Sequence, residues 1–149
     1  LKRNTLDPMT AVAARALRGS AEPPCTGTDP VFDGRRRYNL HYKPVGAEDL
    51  PPHNRSAYAG PAFRCIVWIE PVAGYTRSWL AENRDADERP THIWLAQPPD
   101  TSLWLPVQSE SSFTLGSSTG YIVGARLDGR GGLKPLGPIR AEMPKDITP

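Results

Sequence analysis

The chain has 149 residues, 38% hydrophobic and 23% charged, with a formal net charge of +2. That length holds one domain with a core of its own, and that composition excludes a disordered polymer. No apolar run reaches the ~18–20 residues that a membrane-crossing helix needs, and so small a charge does not by itself mark a nucleic-acid or acidic-membrane binder.

Seventeen prolines and thirteen glycines punctuate the sequence and favour short strands and loops over long helices. The chain starts at Leu1 with no targeting segment, which fits a mature, processed or truncated product. The first predicted element is a short helix. Asp7 is a good cap and Pro8 suits the first helical position. Val12, Ala13, Ala16 and Leu17 then recur at helical spacing. Arg15 and Arg18 fall late, where the helix dipole favours cations, and Gly19 ends the run. The apolar stripe is narrow, so the helix is expected to lie against a sheet.

Residues 20–30 read as a Pro/Gly/Thr loop. Asp33-Gly34 then permits a bend or bulge. Beyond it, Tyr38, Leu40 and Tyr42 alternate with Arg37, Asn39, His41 and Lys43, the period of two that marks a strand. Pro44 and Gly46 are expected to stop it, and GAEDLPPHNRS reads as a polar connector. The next strand is AFRCIVWIE, with Phe63, Cys65, Val67 and Ile69 on one face and Ala62, Arg64, Ile66, Trp68 and Glu70 on the other. PVAGY turns the chain, and residues 76–90 read as a loop with up to one helical turn. Three more strands are predicted at 91–97, 103–111 and 113–127, with Pro98-Pro99-Asp100 as a turn and Pro106 marking an edge or bulge. Residues 128–149 lack periodicity and read as an extended or disordered tail.

The expected architecture is mostly β (α+β): a curved, open antiparallel sheet of about five strands with one short N-terminal helix, filling residues 1–127. Several strands are apolar on both faces. One helix and five strands leave little chain to cover two faces, so a ligand, a partner or further strands are expected to complete the screening, as in a larger half-barrel.

Cys25 lies in a Pro-rich loop and Cys65 in an apolar strand, forty residues on. Neither belongs to a CxxC pair, which argues against zinc. The favoured reading is one disulfide pinning loop to sheet, worth ~3–4 kcal/mol on the chain-entropy model; two unpaired thiols are the alternative. His41, His53 and His92 show no metal-ligand spacing, and GSSTG (116–120) lacks the following helix that a nucleophile elbow requires. No catalytic residue, metal or cofactor is expected.

Two candidate sites remain. Arg35, Arg37, His41 and Lys43 would form a basic row on one face. It would meet acidic lipid headgroups or an acidic partner, or else simply be a solvated face paired across strands with Glu70 or Glu110. Tyr38, Tyr42, Trp68, Trp94 and Trp104 are the candidate apolar ligand-binding set, with core packing as the plainer role.

The order LDPMTAV, a loop cysteine, PVFDGRRRYNL, FRCIVWIEPVAGY, HIWLAQ and LWLPVQ resembles the C-terminal half of an exported bacterial family, catalogued as domain of unknown function 3108. The resemblance spans roughly residues 5–127. It rests most on the DP-helix, the FDG-arginine-tyrosine segment, and the pattern of Cys65, Pro71, Gly74 and Tyr75. It implies a periplasmic protein with its signal peptide removed, a further half before the DP-helix, and a sheet wrapped around helical segments, similar to periplasmic lipoprotein carriers. It implies no known activity. The expected function is therefore non-enzymatic: binding a lipid, acyl chain or lipoprotein on the sheet. The alternative is an assembly component docking onto another envelope protein through a sheet edge or the basic face. Neither nucleic acid nor a transmembrane segment is expected.

Overall fold

The computed structural model describes residues 4–16, 21–82, 90–97, 102–113 and 116–124. Its elements in chain order are α1 (Pro8–Ala16), β1 (Gly27–Phe32), β2 (Arg37–Leu50), β3 (Gly60–Ala73), α2 (Arg77–Glu82), β4 (Thr91–Ala96), β5 (Leu105–Phe113) and β6 (Gly116–Tyr121). The strands form one sheet in the order β1-β2-β3-β4-β5-β6, and every neighbouring pair is antiparallel. The sheet is an open meander, mostly β as expected, with six strands where about five were predicted. The predicted helix end at 17–19, the Pro98-Pro99-Asp100 turn and the 128–149 tail lie outside the described residues.

The helix forms as its sequence dictates. Asp7 caps it: the Thr10 N–H donates to Asp7 Oδ1 at 2.9 Å, and the Ala11 N–H donates to the Asp7 carbonyl at 2.9 Å. Just before it, Leu6 bridges Val31 in parallel. The Leu6 N–H donates to the Pro30 carbonyl, and the Phe32 N–H donates to the Leu6 carbonyl, both at 2.8 Å. The chain entering the helix thereby covers part of the outer edge of β1, where unpaired backbone groups would otherwise invite association.

Three boundaries differ from the sequence reading. The loop predicted at 20–30 contains most of β1. Pro30 misled that reading, but proline is tolerated in an edge strand, where no inner ladder bond needs its N–H. Asp33-Gly34 is the turn of the β1–β2 hairpin: Asp33 Oδ1 accepts the N–H groups of Arg35 at 2.9 Å and Arg36 at 2.7 Å. Pro44 and Gly46 do not stop β2. The register shifts between them, leaving Val45 bulged, and Gly46 takes φ +153°; the bulge absorbs a proline that a regular central strand would reject. Near the other edge, Trp94 pairs with Gln108 and Leu95 with Pro106, which puts a bulge at Val107, beside the proline that signalled it. Of the predicted 113–127 strand, Phe113 ends β5 and Gly116–Tyr121 form the short β6, while residues 114–115 and 125–127 lie outside the described residues.

Register assigns the side chains to two faces. Asp29, Val31, Tyr38, Leu40, Tyr42, Cys65, Val67, Ile69, Ile93 and Leu95 share one, here the helix face, because α1 lies against it at β1. Arg37, Asn39, His41, Lys43, Glu48, Ala62, Arg64, Ile66, Trp68, Glu70, His92 and Trp94 share the other, the loop face. Each face is covered, but at opposite ends. On the helix face Ala11, Cys25, Val31 and Cys65 are buried beside α1. On the loop face Leu50, Tyr58, Ala62, Trp94, Ala96 and Val107 form the apolar cluster, with Leu105 and Ile122 packed against it. The 51–59 connector closes that end: the Ala57 N–H donates to the Ile122 carbonyl at 2.7 Å, and the His53 ring stacks on Tyr121 at 4.5 Å.

Candidate functional site

The predicted aromatic set does not converge. Tyr38 and Tyr42 lie on the helix face, Trp68 and Trp94 on the loop face, and Trp104 just before β5, half-buried. Trp94 is core: it is 5% exposed and donates its indole N–H to Glu48 Oε2 at 2.9 Å. The same carboxylate stands 3.6 Å from Arg64, whose guanidinium lies 6.0 Å from the Trp94 ring. Glu48 and Arg64 also line a shallow depression with Val45, Gly46 and Ala47. Trp68 stacks on His41, centroids 5.2 Å apart and planes 14° apart.

The basic row is shorter than the sequence suggested. Arg35 sits exposed in the hairpin turn, while Arg37, His41 and Lys43 follow along one face of β2. Glu70 from β3 answers them. Its Oε2 accepts from Asn39 Nδ2 at 2.7 Å and lies 2.8 Å from His41 Nε2. His41 Nδ1 lies 3.0 Å from Thr28 Oγ1. The Asn39 amide, then the His41 ring, hold the Glu70 carboxyl below its usual range. This is the cross-strand pairing anticipated for Glu70. Glu110, the other partner anticipated for the row, stands opposite His92 instead. Among the described residues, no group of three or more His, Cys, Asp or Glu side chains could hold a metal ion.

A buried polar cluster escaped the sequence reading. Arg15 and Asp29, each side chain 7% exposed, pair at 2.5 Å. Arg15 Nη1 also donates to the carbonyls of Pro24 at 3.1 Å and Thr26 at 2.7 Å, and the guanidinium covers the Tyr42 ring at 3.5 Å. Burial is the chief reason the Tyr42 phenol is pushed up to about 12. The signal available in sequence was an aspartate in β1, spaced to share a face with Val31; reading 20–30 as loop hid it. The Cys25–Cys65 disulfide, as predicted, ties the same 24–26 segment to β3, with Cα atoms 5.5 Å apart. Two hydrogen bonds from Arg15 and a covalent bond thus hold one loop from two sides.

Beyond this corner the helix face is aliphatic. It carries an apolar strip in two parts: the Leu40–Ile69 pair on one side, and Ile93 with the Phe63–Leu95 pair on the other, with the buried Val67 and Cys65 between them on β3. Leu40, Phe63, Ile93 and Leu95 are half-buried and Ile69 is 40% exposed. None of these side chains ionises. No helix among the described residues is long and apolar enough to cross a membrane.

No curated protein and no solved structure matches the chain. The model of the family described as "Protein of unknown function (DUF3108)" matches residues 1–123, and the chain, with its capped DP-helix, its FDG hairpin and its cystine-bearing third strand, belongs to that family.

Proposed function

We propose that this is a non-enzymatic, exported protein of the cell envelope, working in the periplasm, which holds an acyl chain or lipoprotein anchor on the helix face of its sheet. One observation carries the reading: an uncharged strip of Leu40, Phe63, Ile69, Ile93 and Leu95, partly open to solvent, flanks a closed corner built of α1 and the disulfide. Apolar surface that stays half-open on a rigid sheet is the usual form of a lipid-contacting site. The disulfide supports export, because such bonds persist in oxidising compartments. Native mass spectrometry of protein purified from its own host should show a copurifying lipid mass, reduced in a Leu40→Ser/Ile69→Ser variant. A spectrum of bare protein, with equal uptake of a fluorescent acyl probe by both forms, would refute the reading.

The second reading is an assembly component. It rests on β6, which ends the sheet and is exposed from Gly116 to Gly120. An edge strand of this kind accepts a partner's strand by backbone pairing. In-cell crosslinking from residues 116–120 would capture one discrete envelope protein if this reading holds.

A further inference from the structure

The arginine hairpin and α2 meet at one end of the sheet, far from the connector that closes the other. Gly74 is the point of contact. Its φ is +85°, and a Cβ there would fall 2.4 Å from the Arg35 carbonyl oxygen and 3.1 Å from Arg36 Cα. Glycine alone lets the end of β3 press against the hairpin backbone. That approach sets Arg36 over two aromatic rings, 5.4 Å from the Tyr75 centroid and 6.0 Å from that of Trp79, with the rings 4.4 Å apart. Arg35 and Arg77 stand exposed beside them. The hairpin's own carboxylate, Asp33, is engaged by the N–H groups of Arg35 and Arg36. Val72, 48% exposed, and Leu80, 43% exposed, complete the surface.

We propose that this end of the molecule is a contact patch for an anionic phospholipid surface. Arg35, Arg36 and Arg77 meet the headgroups, while Leu80, Val72 and the edge of Trp79 enter the interfacial layer. Charge complementarity names the partner's sign, and the exposed aliphatics beside arginines and aromatic rings name a bilayer over an acidic peptide, since such groups sit together at the headgroup boundary. The patch is separate from the aliphatic strip, and it stands whether or not that strip holds a lipid.

The test is sedimentation of the full chain with vesicles of phosphatidylglycerol and phosphatidylethanolamine, and with phosphatidylcholine alone. The chain should bind the anionic vesicles and be released by high salt. Arg35→Ala/Arg77→Ala should weaken binding roughly tenfold or more, as loss of two surface cations predicts. Leu80→Ser should weaken it by a smaller factor. Arg55→Ala, exposed in the connector at the other end of the sheet, should not weaken it, and circular dichroism should show all variants folded. Equal binding to neutral vesicles, no binding to anionic ones, or arginine variants that bind like the parent would overturn the proposal. So would displacement of the chain from vesicles by a poly-glutamate peptide at low concentration, which would make the partner an acidic protein.

Discussion

The two covered ends of the sheet are held by different physics. At the helix corner the cover is a nine-residue helix, and the interior beneath it includes an ion pair and a cystine. At the connector end the cover has no regular structure, and the interior is Trp94 and Tyr58 among small and aliphatic side chains. A short helix with a narrow stripe buries little apolar area, so its position depends on directional staples: Arg15 to Asp29 and to two loop carbonyls, and Cys25 to Cys65. The connector depends on area, on a tyrosine hydroxyl given to the Pro61 carbonyl at 2.5 Å, and on one backbone bond from Ala57 to Ile122. The lesson is that a two-faced sheet needs no continuous layer on either side. Opposite corners, closed by different means, leave an open apolar strip between them.

The contrast can be broken first at its most costly point. Asp29→Ala leaves the Arg15 charge buried without its partner, and should destabilise the protein by about 3–5 kcal/mol in urea denaturation. The joint Arg15→Met/Asp29→Leu variant should recover most of that loss, because a buried pair replaced by apolar groups of similar volume costs little. If the single and double variants are equally unstable, the corner is not held by the pair. Cys25→Ser/Cys65→Ser comes next. Freeing a loop of forty residues should cost about 3–4 kcal/mol on the chain-entropy model, with the 21–26 segment gaining hydrogen exchange before the connector does. At the other end, Trp94→Phe keeps the ring and loses the bond to Glu48, and should cost only about 1–2 kcal/mol.

A further effect is one of pH. Tyr42 ionises near 12 in the fold and near 10 when unfolded. A neutral phenol held in the folded state means that the folded protein keeps its proton longer. The stability it contributes is therefore present below pH 10 and is lost as pH rises from 10 to 12. Absorbance at 295 nm should show a late tyrosinate step that Tyr42→Phe removes; a variant that loses absorbance near pH 10 and keeps the late step would place Tyr42 in water.

Much of this was legible in the residues. Strict alternation across 38–42 and 63–69 assigned both faces correctly before any coordinates, and Asp7-Pro8 located the helix. Pro106 announced its bulge. What failed were the positions where tertiary context overrides a breaker. Pro30 survives because it is on an edge strand, and Pro44 because Val45 bulges after it. The candidate site was less legible, for a related reason. Tryptophans advertise apolar surface without saying which face they are on, and Trp94 went into the core while the open strip is built of leucine, isoleucine and one phenylalanine. Arg15 and Asp29 were invisible as a pair, because 14 residues and a loop separate them. The use of Gly74 in the Pro71-Gly74-Tyr75 pattern became clear only when the hairpin arrived beside it.

The account stands or falls on the helix face being the surface that receives an apolar chain. Ile66 and Ile93 make the direct comparison, since they lie on adjacent strands with their side chains on opposite faces. With a nitroxide-labelled stearic acid added to methyl-labelled protein, the Leu40, Ile69 and Ile93 methyl signals should broaden while that of Ile66 stays sharp. Equal broadening of Ile66 and Ile93, or none at either, would contradict it.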